Sequence, residues 1–241
     1  MIDFFGSIFN TLLTAPLLNA LVFLYGIIPG QDLGIAIIVL TIGIRILFYP
    51  LADKAARSQL ALAELQPKMK EVKEKFKDDR QKQAQAIMEL YKKEGVNPFA
   101  GVLPLLIQLP VLIAVYRLFW NGLGTGEITG KLYPFIANPG VIEPTLLGIL
   151  DLSQGSLVLA GIAGVLQFVQ SKQMAPSLKG EKKAGALDFA DMMRKQTLFV
   201  FPLIIAYIVV MFPSAIGLYL ITTLVFSIWQ QARITKKQKP A

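Results

Sequence analysis

An all-α polytopic membrane protein is the fold class this sequence predicts, and three observations carry the reading. Of 241 residues, 54% are hydrophobic and only 17% charged, where an ordinary soluble domain carries about 25% charged residues. The apolar residues are gathered into runs long enough to cross a bilayer. Of 24 lysines and arginines, 21 fall in three stretches: 11 in 53–99, six in 171–196 and four in 232–241. The positive-inside rule assigns those stretches to the cytoplasm. The connection 121–155 holds one lysine and three acids, so it is placed outside. The net charge of +8 therefore reads as topology, and no specific nucleic-acid recognition is expected.

The elements follow in chain order. Residues 1–32 form an N-terminal segment expected to lie in the interface on the extracytoplasmic side. Asp3, Ser7, Asn10, Thr11 and Thr14 recur at helical spacing, with Phe4, Phe5, Ile8, Phe9, Leu12 and Leu13 facing the other way, a pattern that suits an interfacial helix. Pro16 opens a second apolar piece, 16–28, too short to span alone. Together 4–28 make a sixth span the alternative, but it would put an N-terminus without lysine or arginine inside. A cleaved signal peptide is not expected, because there is no basic n-region.

Five spans are predicted, at 33–52, 100–120, 156–172, 197–212 and 214–231, with the N-terminus out and the C-terminus in. The fourth is short and pairs with the fifth as a hairpin turning at Phe212-Pro213-Ser214. Between the first two spans, 53–96 reads as a cytoplasmic two-helix hairpin. Leu65, Met69, Val72 and Phe76 make one apolar stripe, and Ala84, Ile87 and Tyr91 another. Asp78-Asp79 supplies the turn and N-cap, and Gln66-Pro67 is expected to kink or break the first arm. The core continues over 97–231, with a basic cytoplasmic tail at 232–241. Pro104, Pro110 and Pro202 should kink spans and free carbonyls. Tyr116, Trp120 and Tyr133 read as outer interfacial anchors, Tyr49 and Trp229 as inner ones.

The absence of cysteine and histidine removes thiolate chemistry, the usual general base and the commonest metal ligands. No cofactor or metal is expected, and an intramembrane protease is disfavoured further by the absence of an acidic pair within the spans. One residue does point to chemistry. Arg45 lies inside the apolar run 33–51, with no acid in the segment. A guanidinium cannot shed its proton there, and burying it costs about 2.5–3.5 kcal/mol on insertion scales. At about seven residues, roughly 10 Å, from the segment end, it is too deep for comfortable snorkelling. Water in a cavity or a carboxylate from another molecule should reach it. Arg117, about three residues from its span end, is explained by snorkelling.

At these residues the chain resembles the YidC/Oxa membrane protein insertases. Gly34-Ile35-Ala36-Ile37-Ile38, Thr41-Ile42-Gly43-Ile44-Arg45 and Tyr49-Pro50-Leu51 are similar to the family's arginine helix. Leu65-Gln66-Pro67-Lys68 and Glu89-Leu90-Tyr91-Lys92-Lys93 resemble the arms of its cytoplasmic hairpin. Asn97-Pro98 and Leu103-Pro104-Leu105-Leu106-Ile107-Gln108-Leu109-Pro110 resemble its second span. Gln170 with Met174 and Pro176 resembles the end of its third, and Pro213, Leu218-Tyr219 and Gln230-Gln231 its last. Val102 stands where the family often has cysteine, and Leu220 where it often has a groove tryptophan.

The resemblance implies insertion of small membrane proteins without nucleotide hydrolysis. A hydrophilic groove, open to cytoplasm and lipid and closed outside, would hold Arg45 in water, where it pairs transiently with an acidic substrate segment. Thr41, Gln108, Gln170 and Tyr219 are expected to share the groove. Gln167 and Thr222 are read as ordinary interhelical hydrogen bonders. The implied partners are nascent membrane proteins and the lipid bilayer, with the ribosome and a Sec translocon beside them, in a bacterial plasma membrane. Two rivals stay open: a small-anion transporter or channel, and an assembly subunit whose Arg45 pairs permanently with another chain's acid. Internal repeats of the transporter kind are absent.

Overall fold

A computed structural model of the chain describes residues 6, 7, 9–97, 108–116, 132–174 and 196–238. What was expected of Arg117, Trp120, Lys131, Pro98, Val102, Leu103–Ile107 and Pro176 lies outside them. The described residues are predominantly helical. The helices are α1 (Ala15–Ile27), α2 (Leu33–Leu47), α3 (Tyr49–Lys75), α4 (Arg80–Lys93), α5 (108–116), α6 (Leu157–Met174), α7 (Phe201–Met211) and α8 (Ser214–Gln238). Two short strands, β1 (Thr145–Leu146) and β2 (Leu150–Asp151), pair antiparallel with Leu146 opposite Leu150. Asn10–Ile27 and Ser214–Lys236 are long and apolar enough to cross a membrane, and α2 with α3 adds a third if the bent pair is one span.

Three expectations are corrected. Asn10–Ile27 is one uninterrupted helical run, not two pieces divided at Pro16. Its first turn is π-wound over Asn10–Thr14, and Pro16 falls in the first turn of α1, where its missing N–H is tolerated. The first apolar helix ends at Leu47 rather than at 52. The chain turns through 66° there, because Pro50 occupies the first turn of a new helix and Phe48 leaves helical geometry. Of the kink or break expected at Gln66-Pro67, the break does not occur, since α3 runs through Pro67 to Lys75.

The hairpin follows its side chains. The Asp79 carboxylate caps α4 by accepting from the Gln81 and Lys82 N–H groups, at 3.1 and 3.0 Å. Those bonds, with Lys82's amide the largest influence and its side chain next, hold the Asp79 carboxyl below the usual carboxylate range. The arms are stapled by Lys68 to Glu94 at 2.6 Å, Tyr91 Oη to Met69 Sδ at 3.3 Å, and Gln83 Nε2 to the Lys73 carbonyl at 2.9 Å.

The buried core joins Leu18, Leu21, Val22 and Tyr25 of α1 to Leu33, Ala36 and Ile37 of α2, and reaches α5, α6, α7 and α8. Small residues set the closest approaches, as they do wherever apolar solvent removes the hydrophobic drive between helices. A Cβ on Gly164 would touch Ala206, and one on Gly217 would lie 2.7 Å from Val209 Cγ1. On the side of the helix N-termini of α2 and α8, the connection 132–156 folds over the bundle. It bonds α1 twice: Tyr133 N–H donates to Asn19 Oδ1 at 2.6 Å and Glu143 N–H to Tyr25 Oη at 3.4 Å.

Candidate functional site

Arg45 is in the last turn of α2, on a helix whose Ile, Leu and Val run gives no local partner for a cation. The structure supplies one from a distant element. Arg45 Nη2 donates to Gln108 Oε1 at 2.8 Å, and Gln108 Nε2 donates to Tyr219 Oη at 2.7 Å. Three helices, α2, α5 and α8, thus meet in a single polar chain. Gln108 is the residue type that fits, because its amide offers an acceptor on one side and donors on the other. Tyr219 is buried and Arg45 is partly exposed. No carboxylate pairs with Arg45 among the described residues. A guanidinium has five donors, and its bond to Gln108 occupies one, so the site offers a net positive charge with spare donors beside an apolar wall.

The remaining candidates do not join this chain of bonds. Thr41, one turn from Arg45, is buried and donates back to the Ile37 carbonyl at 2.6 Å. Its hydroxyl satisfies its own helix and does not join the chain. Gln170 is half-buried on α6, and no bond links it to Arg45, Gln108 or Tyr219. Gln167 donates to Ser171 at 3.2 Å and Thr222 to the Leu218 carbonyl at 2.8 Å, both within one helix. Thr223 Oγ1 is buried beside Tyr219.

Where α2 turns into α3, Tyr49 stacks edge-on with Phe226 and tilted on Trp229, each at 6.4 Å, and Phe226 and Trp229 lie 5.3 Å apart. Arg233 sits 4.3 Å over the Trp229 ring. Gln230 Nε2 donates to the Tyr49 carbonyl at 3.4 Å. This aromatic knot fixes the bend against α8 on the end where the basic residues gather.

At the other end, sequence reasoning missed three residues. Asp32 caps α2, its Oδ1 accepting from Ile35 N–H at 2.8 Å while its Oδ2 accepts from Leu147 N–H. Ser214 and Ala215 open α8, and their N–H groups donate to the carbonyls of Gln154 and Leu152, at 2.8 and 3.1 Å. Asn19 ties α1 to the loop. Only Asp32 carried a signal, an aspartate immediately before an apolar run; the other two bonds join residues more than 59 positions apart.

Comparison with known proteins gives one consistent result. The family model described as 60Kd inner membrane protein matches residues 23–241. The chain is 34% identical over 226 residues to a protein named Membrane protein insertase YidC from Geotalea uraniireducens, covering 93% of this chain and 37% of that protein. It is 36% identical over 230 residues to the Wolinella succinogenes protein of that name, covering 95% and 38%. With the Francisella philomiragia protein it shares 37% over 205 residues, covering 84% and 32%. The chain therefore spans less than two-fifths of the length of these curated relatives.

Proposed function

The chain belongs to the 60 kDa inner membrane protein family, the YidC/Oxa group, and from that premise we propose that it is a membrane protein insertase whose groove is centred on Arg45. The observation that carries the reading is the Arg45–Gln108–Tyr219 chain. An uncompensated guanidinium is held by a neutral amide, so its charge remains available to a visiting anion. An acidic or polar segment of a newly made membrane protein enters the groove from the cytoplasm. Arg45 pairs with it by charge-assisted hydrogen bonds. The substrate's apolar span then moves into lipid along α6 and α8. Hydrophobic partitioning and the membrane potential, about 2.3 kcal/mol per charge per 100 mV, drive the step, and no nucleotide is consumed.

In this reading five spans form the membrane core, the first of them α2 with its end at Leu47 and the others expected at 100–120, 156–172, 197–212 and 214–231, and 53–96 is a cytoplasmic arm near the entrance. The N-terminus lies outside and the C-terminus in the cytoplasm of a bacterial plasma membrane. An outer, interfacial position for α1 is supported by the loop 132–156, which bonds Asn19, Tyr25 and Asp32 together. A helix standing across the bilayer would carry Asn19 about 9 Å deeper than Tyr25 at helical rise. The groove residues are Arg45, Gln108 and Tyr219, with Thr41 and Gln170 along the walls. Nascent membrane proteins and lipid are the partners, with the ribosome and a Sec translocon as further ones through the basic arm and tail.

The test is insertion of a small single-span protein with an acidic N-terminal segment into liposomes holding this chain, wild type beside Arg45→Ala. Insertion that collapses in the variant supports both the activity and the role of Arg45. Insertion indifferent to the variant rejects the arginine mechanism. Absence of insertion by folded wild-type chain, with anion flux in its place, rejects the insertase reading for the transporter.

A further inference from the structure

We propose that the β1–β2 hairpin and the bend 152–154 after it form a clasp that closes the outer end of the groove, with Asp32 and Ser214 as its two anchors. The clasp is built from both ends. Asp32, buried at the N-terminus of α2, accepts from Ile35 within its own helix and from Leu147 at the hairpin tip. Leu146 fills the space beside Gly34, where a Cβ would lie 2.5 Å from Leu146 Cδ1 and 3.0 Å from its Cα. Eight residues after Leu146, Gln154 accepts from both the amide and the hydroxyl of Ser214, and Leu152 accepts from Ala215. Leu152 is itself buried. Its amide is turned back to the Pro144 carbonyl at 2.7 Å.

One segment therefore bridges the N-termini of α2 and α8. These are the helices that carry Arg45 and Tyr219, the two ends of the polar chain through Gln108. The bonds are of the strong kind. They use helix-terminal N–H groups that have no partner within their helices, and at Asp32 an ionised acceptor.

The backbone shows that the contact is enforced. Leu147 has φ +54° and Gly148 φ +67°, and Ile149 N–H closes the turn onto the Leu146 carbonyl at 3.0 Å. A turn with two left-handed residues favours Asn, Asp or Gly at both, and leucine there is strained. This leucine side chain is 65% exposed and gains no packing for it. What the conformation does secure is the direction of the Leu147 N–H, which is aimed at Asp32.

The inference rests on the groove reading for its consequence, but its test reads access alone and needs no insertion activity. The chain has no cysteine, so a single Thr41→Cys reporter, one turn outside Arg45, has no background. Right-side-out vesicles holding the full chain are treated with a membrane-impermeant maleimide on the outer face. With the clasp intact, labelling is slow. Asp32→Ala is expected to raise the outer labelling rate at least about tenfold, the equivalent of one charged hydrogen bond. Asp32→Asn, which keeps one acceptor oxygen of the two and loses the charge, is expected to give a rate between the two. Leu146→Ala, read in the same way, is expected to raise it and serves if Asp32→Ala does not accumulate. Unchanged outer labelling in folded Asp32→Ala or Leu146→Ala chain overturns the clasp. Equal acceleration from the cytoplasmic face overturns it too, because that marks general loosening and not an opened outer end.

Discussion

Gln108 is the residue on which the proposed site turns, because it commits both halves of one amide, accepting from Arg45 and donating to Tyr219. Replacing it by glutamate would place a permanent counter-charge on Arg45 and compete with any visiting acid. Gln108→Glu is therefore expected to lower insertion about tenfold or more in the liposome assay. Gln108→Ala, which frees the guanidinium, should cost less. At Arg45 itself, lysine should retain most insertion while alanine abolishes it, since a wet groove needs positive charge and not a planar fork. Equal failure of both would point to a permanent bidentate partner in another subunit. Arg45 was legible in the sequence as an unpaired cation in an apolar run. Its partners were not, because hydrogen bonds spanning 63 and 111 positions leave no local pattern, and the family resemblance alone suggested Gln108 and Tyr219. Thr41 was suggested in the same way, yet a helical threonine has its own i−4 carbonyl within reach, and that is where its hydroxyl goes.

Among elements, the α3–α4 hairpin shows how far local chemistry reaches. Its two stripes and the Asp78-Asp79 turn are periodicity and capping, and both are read directly from sequence. The continuity through Pro67 is not, since a lost helix bond at an exposed surface can be made up by water and by the Lys68–Glu94 staple. The Asp79 carboxyl is held below its ordinary value in the folded arm. Its capping contribution is thus fully present at neutral pH and is lost as pH falls through that lowered value. Protection of the Gln81 and Lys82 amides, taken relative to their intrinsic exchange at each pH, should fall on acidification, and Asp79→Asn should remove that pH dependence. Between α7 and the loop before α6 the approach is backbone to backbone: a Cβ on Gly155 would lie 1.9 Å from the Val210 carbonyl oxygen. Gly155→Ala should therefore destabilise the bundle by about 1–3 kcal/mol, seen as a lower melting temperature in detergent. A matched Gly161→Ala, which meets open space, should be silent.

For the whole molecule, the all-α membrane class followed from composition and charge distribution, whereas the joints between helices did not. The turn at Phe48 depends on a knot of Tyr49, Phe226 and Trp229 assembled from opposite ends of the chain. Deleting the arm's tip, 75–84, should leave the membrane core folded and slow insertion; disappearance of the chain from the membrane fraction would show that the arm is structural. The turn also fixes a length. With 15 residues at about 1.5 Å each, α2 reaches about 22 Å, short of the roughly 30 Å hydrocarbon layer. If the low-dielectric layer is drawn in to match, the same transmembrane voltage falls over three-quarters of the usual distance. The electric field acting on an acidic segment beside Arg45 is then steeper by about a third, and the stretch of chain that must be pulled through it is shorter by about five residues at helical rise.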